Sequence, residues 1–360
     1  MRTILVLVLI TFVAGCNHPL EIIGEGDILS ASGNRDCLLA DARAGAANCV
    51  NNTVSGDYQE NYFAVAHRGW EFHRWANYCS DPLYNDCSFD VPAHWVQAFA
   101  GVEVPALVAI FREVTNVGLE SLFIGHSFFI PYAIGMNFHA ENAGFEDHTQ
   151  ESVFAGGAGG APEALWNNDA RRARIQGVLD GGNIELFGMT YFPTYPSMTG
   201  YYNWVDYALE RNPDTRFFIA MPWEPYPANT SAATYESNWE LFHPAISHSI
   251  VDDLRGTYPG VDFFCVPYGQ AAVELRKLFA ADNLPDVEAM LNGPLPSIFN
   301  DALGHADDIL VDLGELVWLR ALYDVDLTTY SHDPGYITDL KAIATHIMDG
   351  HDPAYDAPYH

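Results

Sequence analysis

The hydropathy pattern changes character near residue 115. Beyond it, short unbroken apolar runs at 119–124, 151–154, 184–189, 216–221 and 261–266 alternate with longer stretches of helical period. Those stretches predict helices over about 128–144, 162–180, 200–211, 234–256, 269–281, 306–324 and 335–348. Apolar runs of four to eight residues without polar alternation suit strands buried on both faces. Strands alternating with helices predict a three-layer α/β/α domain around a parallel sheet, here spanning 118–350. Right-handed crossovers then place every strand's carboxyl end on one edge of the sheet. Residues 20–113 read differently. Runs at 24–30, 61–66, 70–76 and 105–111 are rich in aromatic and branched residues and are separated by Gly, Pro, Asn and Asp, which predicts a small all-β domain.

The first residues are Met1-Arg2, an apolar run over 3–12, and then Val13-Ala14-Gly15-Cys16. One positive charge, a short apolar segment and small residues form an export signal, and the run is too short to span a bilayer as a helix. Val-Ala-Gly-Cys resembles the lipobox of bacterial lipoproteins. The resemblance implies a signal peptide over 1–16, cleaved before Cys16, with lipid on that residue. The protein would then be held on a membrane outside the cytoplasm, the outer membrane in a Gram-negative host, because Asn17 is not a retention signal.

Export permits disulfides. Of the three pairings open to the four N-terminal cysteines, Cys37 with Cys49 and Cys79 with Cys87 is the simplest. Their spacing does not suit a zinc knuckle. Cys265, inside an apolar run, reads as a buried thiol. The formal net charge is −31 and only Lys277 and Lys341 are lysines, so nucleic-acid partners are excluded on charge.

Within the β-rich segment, Gly69-Trp70-Glu71-Phe72 followed by Trp75, and the closing run Leu107-Val108-Ala109-Ile110-Phe111, resemble the divergent internalin-type B repeat of bacterial surface proteins. The resemblance implies a spacing or binding module without catalysis, with the two cysteine pairs as decorations.

The run at 119–124 ends in Gly125-His126-Ser127, and a helical stretch follows. A parallel strand running into such a turn presents a serine at the sheet edge where α/β proteins bind ligands, beside the free amides of a helix start. Ser127 as a plain helix N-cap is the other reading. A nucleophilic serine needs a histidine base, an orienting carboxylate and donors for the oxyanion. His305, four residues after Asp301 in a loop behind the apolar pair Ile298-Phe299, supplies the first two if that pair reaches the same edge.

Together these residues resemble the SGNH (GDSL-like) hydrolases, whose fold is flavodoxin-like. The resemblance implies Ser127, Asp301 and His305 as catalytic, with the pair spaced Asp-x-x-x-His where the family has Asp-x-x-His. It implies oxyanion donors from Ser127 and from a glycine of the run 155–162, Gly157 or Gly160. The family's Gly-x-Asn turn is replaced by Gly188-Met189-Thr190-Tyr191, so the hydroxyl of Thr190 or Tyr191 stands in. No cofactor or metal is implied. The substrate is an acyl ester, an acetyl group on a polysaccharide by analogy. A surface binding protein that keeps the hydrolase fold is the alternative.

His126 reads as a pocket or turn residue. His139, His148, His243 and His248 read as ordinary helix or loop residues, and His332, His346, His351 and His360 as a solvated tail rather than a metal site. The aromatics Tyr191, Phe192, Tyr195, Tyr201, Tyr202 and Trp204, and the group Trp223-Glu224-Pro225-Tyr226, line either the core or an acyl pocket.

Overall fold

A computed structural model describes residues 16–54, 57–67, 69–79, 81–91, 104–114, 116–291 and 295–358. The export signal and the lipobox residues before Cys16 lie outside the described residues. The chain divides into two compact units, Met1–Val117 and Gly118–His360.

The first unit holds the short strands β1 (Cys16–Asn17) and β4 (Thr53–Val54), paired antiparallel. Two three-stranded sheets follow. One contains β2 (Leu20–Ile23), β6 (Trp70–Ala76) and β8 (Leu107–Glu113). The other contains β3 (Gly26–Ser30), β5 (Tyr58–Ala66) and β7 (Asp86–Val91). Strand β7 and two short helices, α1 (Leu39–Ala44) and α2 (Ala47–Val50), were not legible in the hydropathy pattern, because each is brief and half polar. In β6 a register shift between Phe72 and Arg74 breaks the period of two. The bulge lets Trp75 turn inward, where it is buried against Phe72 and Phe111, although simple alternation from Trp70 would point it outward. Disulfides join Cys37 to Cys49 and Cys79 to Cys87, both cross-linking this small core.

The second unit is a mixed α/β domain around five parallel strands: β9 (Glu120–Gly125), β10 (Thr149–Phe154), β11 (Leu186–Thr190), β12 (Arg216–Ala220) and β13 (Phe263–Val266), in the order β10-β9-β11-β12-β13. Both faces are covered. Phe123 of β9 packs into one core with α3 (Ile130–Asn142) and, later in the chain, the helices Gln270–Ala280, Asp308–Tyr323 and Leu340–Asp349. Leu122 and Ile124 pack into the other with α4 (Pro162–Asn167), α5 (Asp169–Leu179), α6 (Thr199–Leu209) and the helix Ser249–Thr257. Double burial is why β9, β11, β12 and β13 read as apolar runs, whereas the edge strand β10 buries only Val153 fully.

Three expected elements differ. The helix over 162–180 is two helices, interrupted at Asn168, whose side chain accepts from the Arg171 amide and caps the second. The helix over 234–256 is α7 (Ala232–His243), a π-helical turn Pro244–His248, and α8 (Ser249–Thr257), because Pro244 has no amide to continue the ladder. The run at 298–299 belongs to a separate parallel pair, β14 (Ala289–Leu291) with β15 (Ser297–Phe299), and not to the main sheet. Among the described residues, no helix is long and apolar enough to cross a membrane.

Candidate active site

In this strand order the chain reverses direction across the sheet between β9 and β11, and a crevice opens at the carboxyl ends of those strands. Ser127 stands in that crevice, one turn before α3. It caps nothing: α3 starts at Ile130 without a side-chain cap, and Ser127 Oγ lies 2.8 Å from His305 Nε2. His305 Nδ1 lies 2.7 Å from Asp301 Oδ2. The serine, imidazole and carboxylate are therefore in line, with the geometry of a nucleophile, a base and an orienting group.

The loop after β15 brings the pair there. Asp301 Oδ1 accepts from the amides of Gly304 (2.9 Å) and His305 (3.1 Å), closing a turn around its own carboxylate. Gly304 sits at φ +100°, a conformation that L side chains resist, and a Cβ there would come within 2.8 Å of Pro227. This turn absorbs the additional residue in Asp-x-x-x-His, so the longer spacing still delivers a bonded pair. Burial alone would raise the Asp301 carboxyl. The hydrogen bonds from the His305 ring and from the two amides outweigh it and hold the group below the usual carboxylate range.

Trp223 links the two halves of the site. Its ring stacks on Phe128 at 5.0 Å, and its Nε1–H donates to the Gly304 carbonyl at 2.9 Å. Phe128 in turn meets the His305 ring edge-on at 4.9 Å. Trp223→Phe keeps the stack and deletes one buried hydrogen bond, normally worth about 1 kcal/mol. Because that bond fixes the His305 loop, kcat is expected to fall about tenfold, more than KM changes, and the void left by the indole lowers the thermal midpoint by a few degrees. Steady-state kinetics beside a melting curve would show this, and an unchanged kcat would deny Trp223 its positioning role.

His126 is a buried neutral histidine, its pKa pushed down to about 4 by burial. Its Nδ1 accepts from the Phe128 amide at 3.2 Å, which leaves Nε2–H to donate to the Tyr191 carbonyl at 3.1 Å. It thus pins the nucleophile turn to the end of β11. Thr190, expected to supply an oxyanion donor, does not. Its hydroxyl is wholly buried, donates to the Ala220 carbonyl at 3.1 Å and packs beneath His126. The Tyr191 side chain lines the pocket beside Ser127.

Of the two glycines considered, Gly157 lines the crevice with Ser127, whereas Gly160 is buried. A Cβ at Gly160 would meet the Gly125 carbonyl at 2.4 Å, so Gly160 allows the segment Gly157–Gly160 to close onto the nucleophile turn. Among the described residues, the amides of Ser127 and Gly157 engage no acceptor.

The crevice opens into a cavity of about 810 Å³. Its walls are apolar: Phe192, Met221, Trp223, Trp239, Phe242 and Ile246 are among them. The aromatics after β11 divide, since Tyr191 and Phe192 face the cavity while Tyr201 and Trp204 are buried in the core. Trp223 to Tyr226 all line it. The wall from α7 and the π-helical turn after it was missed, although Tyr235, Trp239, Phe242 and Ile246 recur at helical spacing and Phe242 stays 44% exposed.

No protein-family model matches the chain, and no curated protein matches it. Several solved structures are similar to the chain, among them these three proteins. One is a family 3 carbohydrate esterase from Clostridium thermocellum (14% identity, TM-score 0.34, covering 63% of this chain and 99% of that one). Another is the periplasmic domain of a lipopolysaccharide acetyltransferase from Salmonella ser. Paratyphi A (16%, 0.30, 44% and 69%). The third is a family two carbohydrate esterase from Clostridium thermocellum in complex with cellohexaose (12%, 0.28, 68% and 76%). At these scores the likenesses carry no argument, and the site is read from its own geometry.

Proposed function

We propose that the unit 118–360 is a serine ester hydrolase. The observation that carries this reading is the bonded series Ser127–His305–Asp301 at the mouth of an apolar cavity. Ser127 Oγ attacks the ester carbonyl while His305 Nε2 takes its proton. Asp301 holds the Nδ1–H tautomer and faces the imidazolium that forms. The Ser127 and Gly157 amides stabilise the oxyanion. His305 then returns its proton to the departing alcohol, and water releases the acyl group by the same route in reverse. A binding protein that merely keeps the fold has no need of a 2.8 Å serine–imidazole contact.

The cavity favours an acyl group larger than the acetyl suggested by the sequence resemblance, since acetyl leaves most of its walls in water. Each methylene buried there contributes up to about 0.8 kcal/mol, or about fourfold. In a series of chromogenic esters from acetyl to decanoyl, kcat/KM is expected to climb several-fold per pair of methylenes until the cavity is full. Acetylated polysaccharide serves as a second arm of the panel. Rates highest on acetyl and falling with length would reject the apolar-acyl assignment.

We also propose that the protein is exported and lipidated at Cys16, with the β unit following the anchor in the chain as a spacer. The supporting features are the segment Met1-Arg2, the apolar run and Val-Ala-Gly-Cys. Metabolic labelling with a palmitate analogue, lost in Cys16→Ser, tests it.

A further inference from the structure

Three largely buried histidines of the second unit are satisfied. His139 bonds Tyr330 and Glu315, His148 bonds Tyr323 and Gln150, and His126 uses both ring nitrogens. Three others are not. His243, His248 and His351 each have a buried Nε2 without a hydrogen-bond partner. His243 is 5% exposed and His351 8% exposed. An orphaned buried ring nitrogen is destabilising unless a ligand satisfies it. Three aimed at one another are the arrangement expected around a cation.

The three rings form a near-equilateral triangle, with centroids 5.2, 5.7 and 5.7 Å apart. One ring nitrogen from each lies within 4.8 Å of the other two. A bound ion would draw the three nitrogens inward to the metal–nitrogen distance of about 2.0–2.1 Å. We propose that His243, His248 and His351 bind one divalent transition-metal ion, zinc in the first instance, through Nε2, with water completing a tetrahedral shell. Three neutral imidazoles without thiolate or hard-oxygen ligands suit zinc or its late first-row neighbours, and not calcium or magnesium.

The local structure supports this. On an α-helix, residues five apart point about 140° from each other. The π-helical turn Pro244–His248, whose bonds run from i to i+5, instead brings His243 and His248 to the same side. His351 Nδ1 is bonded to Asp356 Oδ1 at 2.6 Å, the carboxylate–histidine support that fixes Nε2 as the ligand atom. The Asp252 and Asp352 carboxylates also face His248, which favours a cation, while Arg255 opposes it.

None of the three histidines lines the cavity of Ser127. The ion would be structural, tying the segment after the helix Leu340–Asp349 to the π turn. It would also steady Trp239, which stacks on His243 at 4.6 Å and forms part of the cavity wall.

The test is calorimetric titration of the chelator-stripped full-length protein with zinc, followed by melting curves. One equivalent is expected to bind and to raise the melting midpoint. His351→Gln and the partly exposed His248→Gln should each weaken binding at least about 10²-fold, and Asp356→Asn about 10- to 100-fold. Cobalt should give a visible absorption band in the wild type and none in the variants. Absence of zinc binding by the folded wild-type protein would overturn the proposal without reference to any variant. Undiminished binding by folded His248→Gln and His351→Gln would overturn it equally, placing the ion elsewhere. Neither outcome bears on the serine hydrolase reading.

Discussion

Ser127→Ala is expected to lower kcat by about 10⁴- to 10⁶-fold, the scale on which loss of a serine nucleophile ordinarily acts. The substitution removes the one oxygen that His305 Nε2 contacts at 2.8 Å and leaves the rest of the crevice in place. Ser127 caps no helix, so the fold loses no terminus bond, and the melting midpoint should move little. KM should stay close to that of the wild type, because the acyl group is held by the apolar walls, not by the nucleophile. The residual rate reports what the oxyanion amides and the cavity contribute alone. Ester hydrolysis measured on both proteins, with circular dichroism as the fold check, decides this. A variant retaining more than about a tenth of the rate would exclude Ser127 as nucleophile.

Asp301→Asn is expected to cost about 10²- to 10³-fold in kcat. The amide keeps an oxygen for the Gly304 and His305 amides, so the turn survives. Its NH₂ group then faces His305 Nδ1 in place of Oδ2, which favours the tautomer with the proton on Nε2 and disarms the base toward Ser127. The loss should be smaller than for a fully buried carboxylate, because the Asp301 side chain is 44% exposed and water screens part of its field. The sign of the pH effect follows from the lowered Asp301 pKa. Its contribution to stability is present above the unfolded carboxylate value and is lost only as pH falls through the still lower folded value. The wild-type carboxylate therefore stays charged through the weakly acidic range. A variant that matches the wild type at every pH would remove Asp301 from the mechanism.

How much of this was legible in the sequence depended on how local each cause is. Four of the five strands read clearly because burial on both faces makes apolar runs, and Gly125-His126-Ser127 read as a strand-end turn because the β9 run stops there; the edge strand β10 is mostly polar and offered only its last residues. Asp301 and His305 were singled out because they are close in sequence and follow an apolar pair, and the structure brings them beside Ser127 although β15 stands apart from the main sheet. The breaks at Asn168 and Pro244 were written in the chain, as a capping residue and a residue without an amide, but helical periodicity on both sides concealed them. Thr190 was misassigned because a hydroxyl at a strand end looks available, and only the packing shows its proton given to Ala220. His351 read as part of a solvated tail because its burial comes from contacts with His243 and His248, more than a hundred residues earlier. Trp223 carried no sequence signal for its bond to the Gly304 carbonyl, which is a purely tertiary pairing.

The most direct measurement of the central claim is intact-protein mass spectrometry after brief treatment with an alkyl fluorophosphonate, with peptide mapping of the adduct. The account predicts one covalent adduct per chain, located on Ser127. The adduct should be absent from Ser127→Ala and should form far more slowly in His305→Ala, where no imidazole takes the hydroxyl proton. An untouched Ser127 in folded protein, or labelling that proceeds at the same rate without His305, would contradict it.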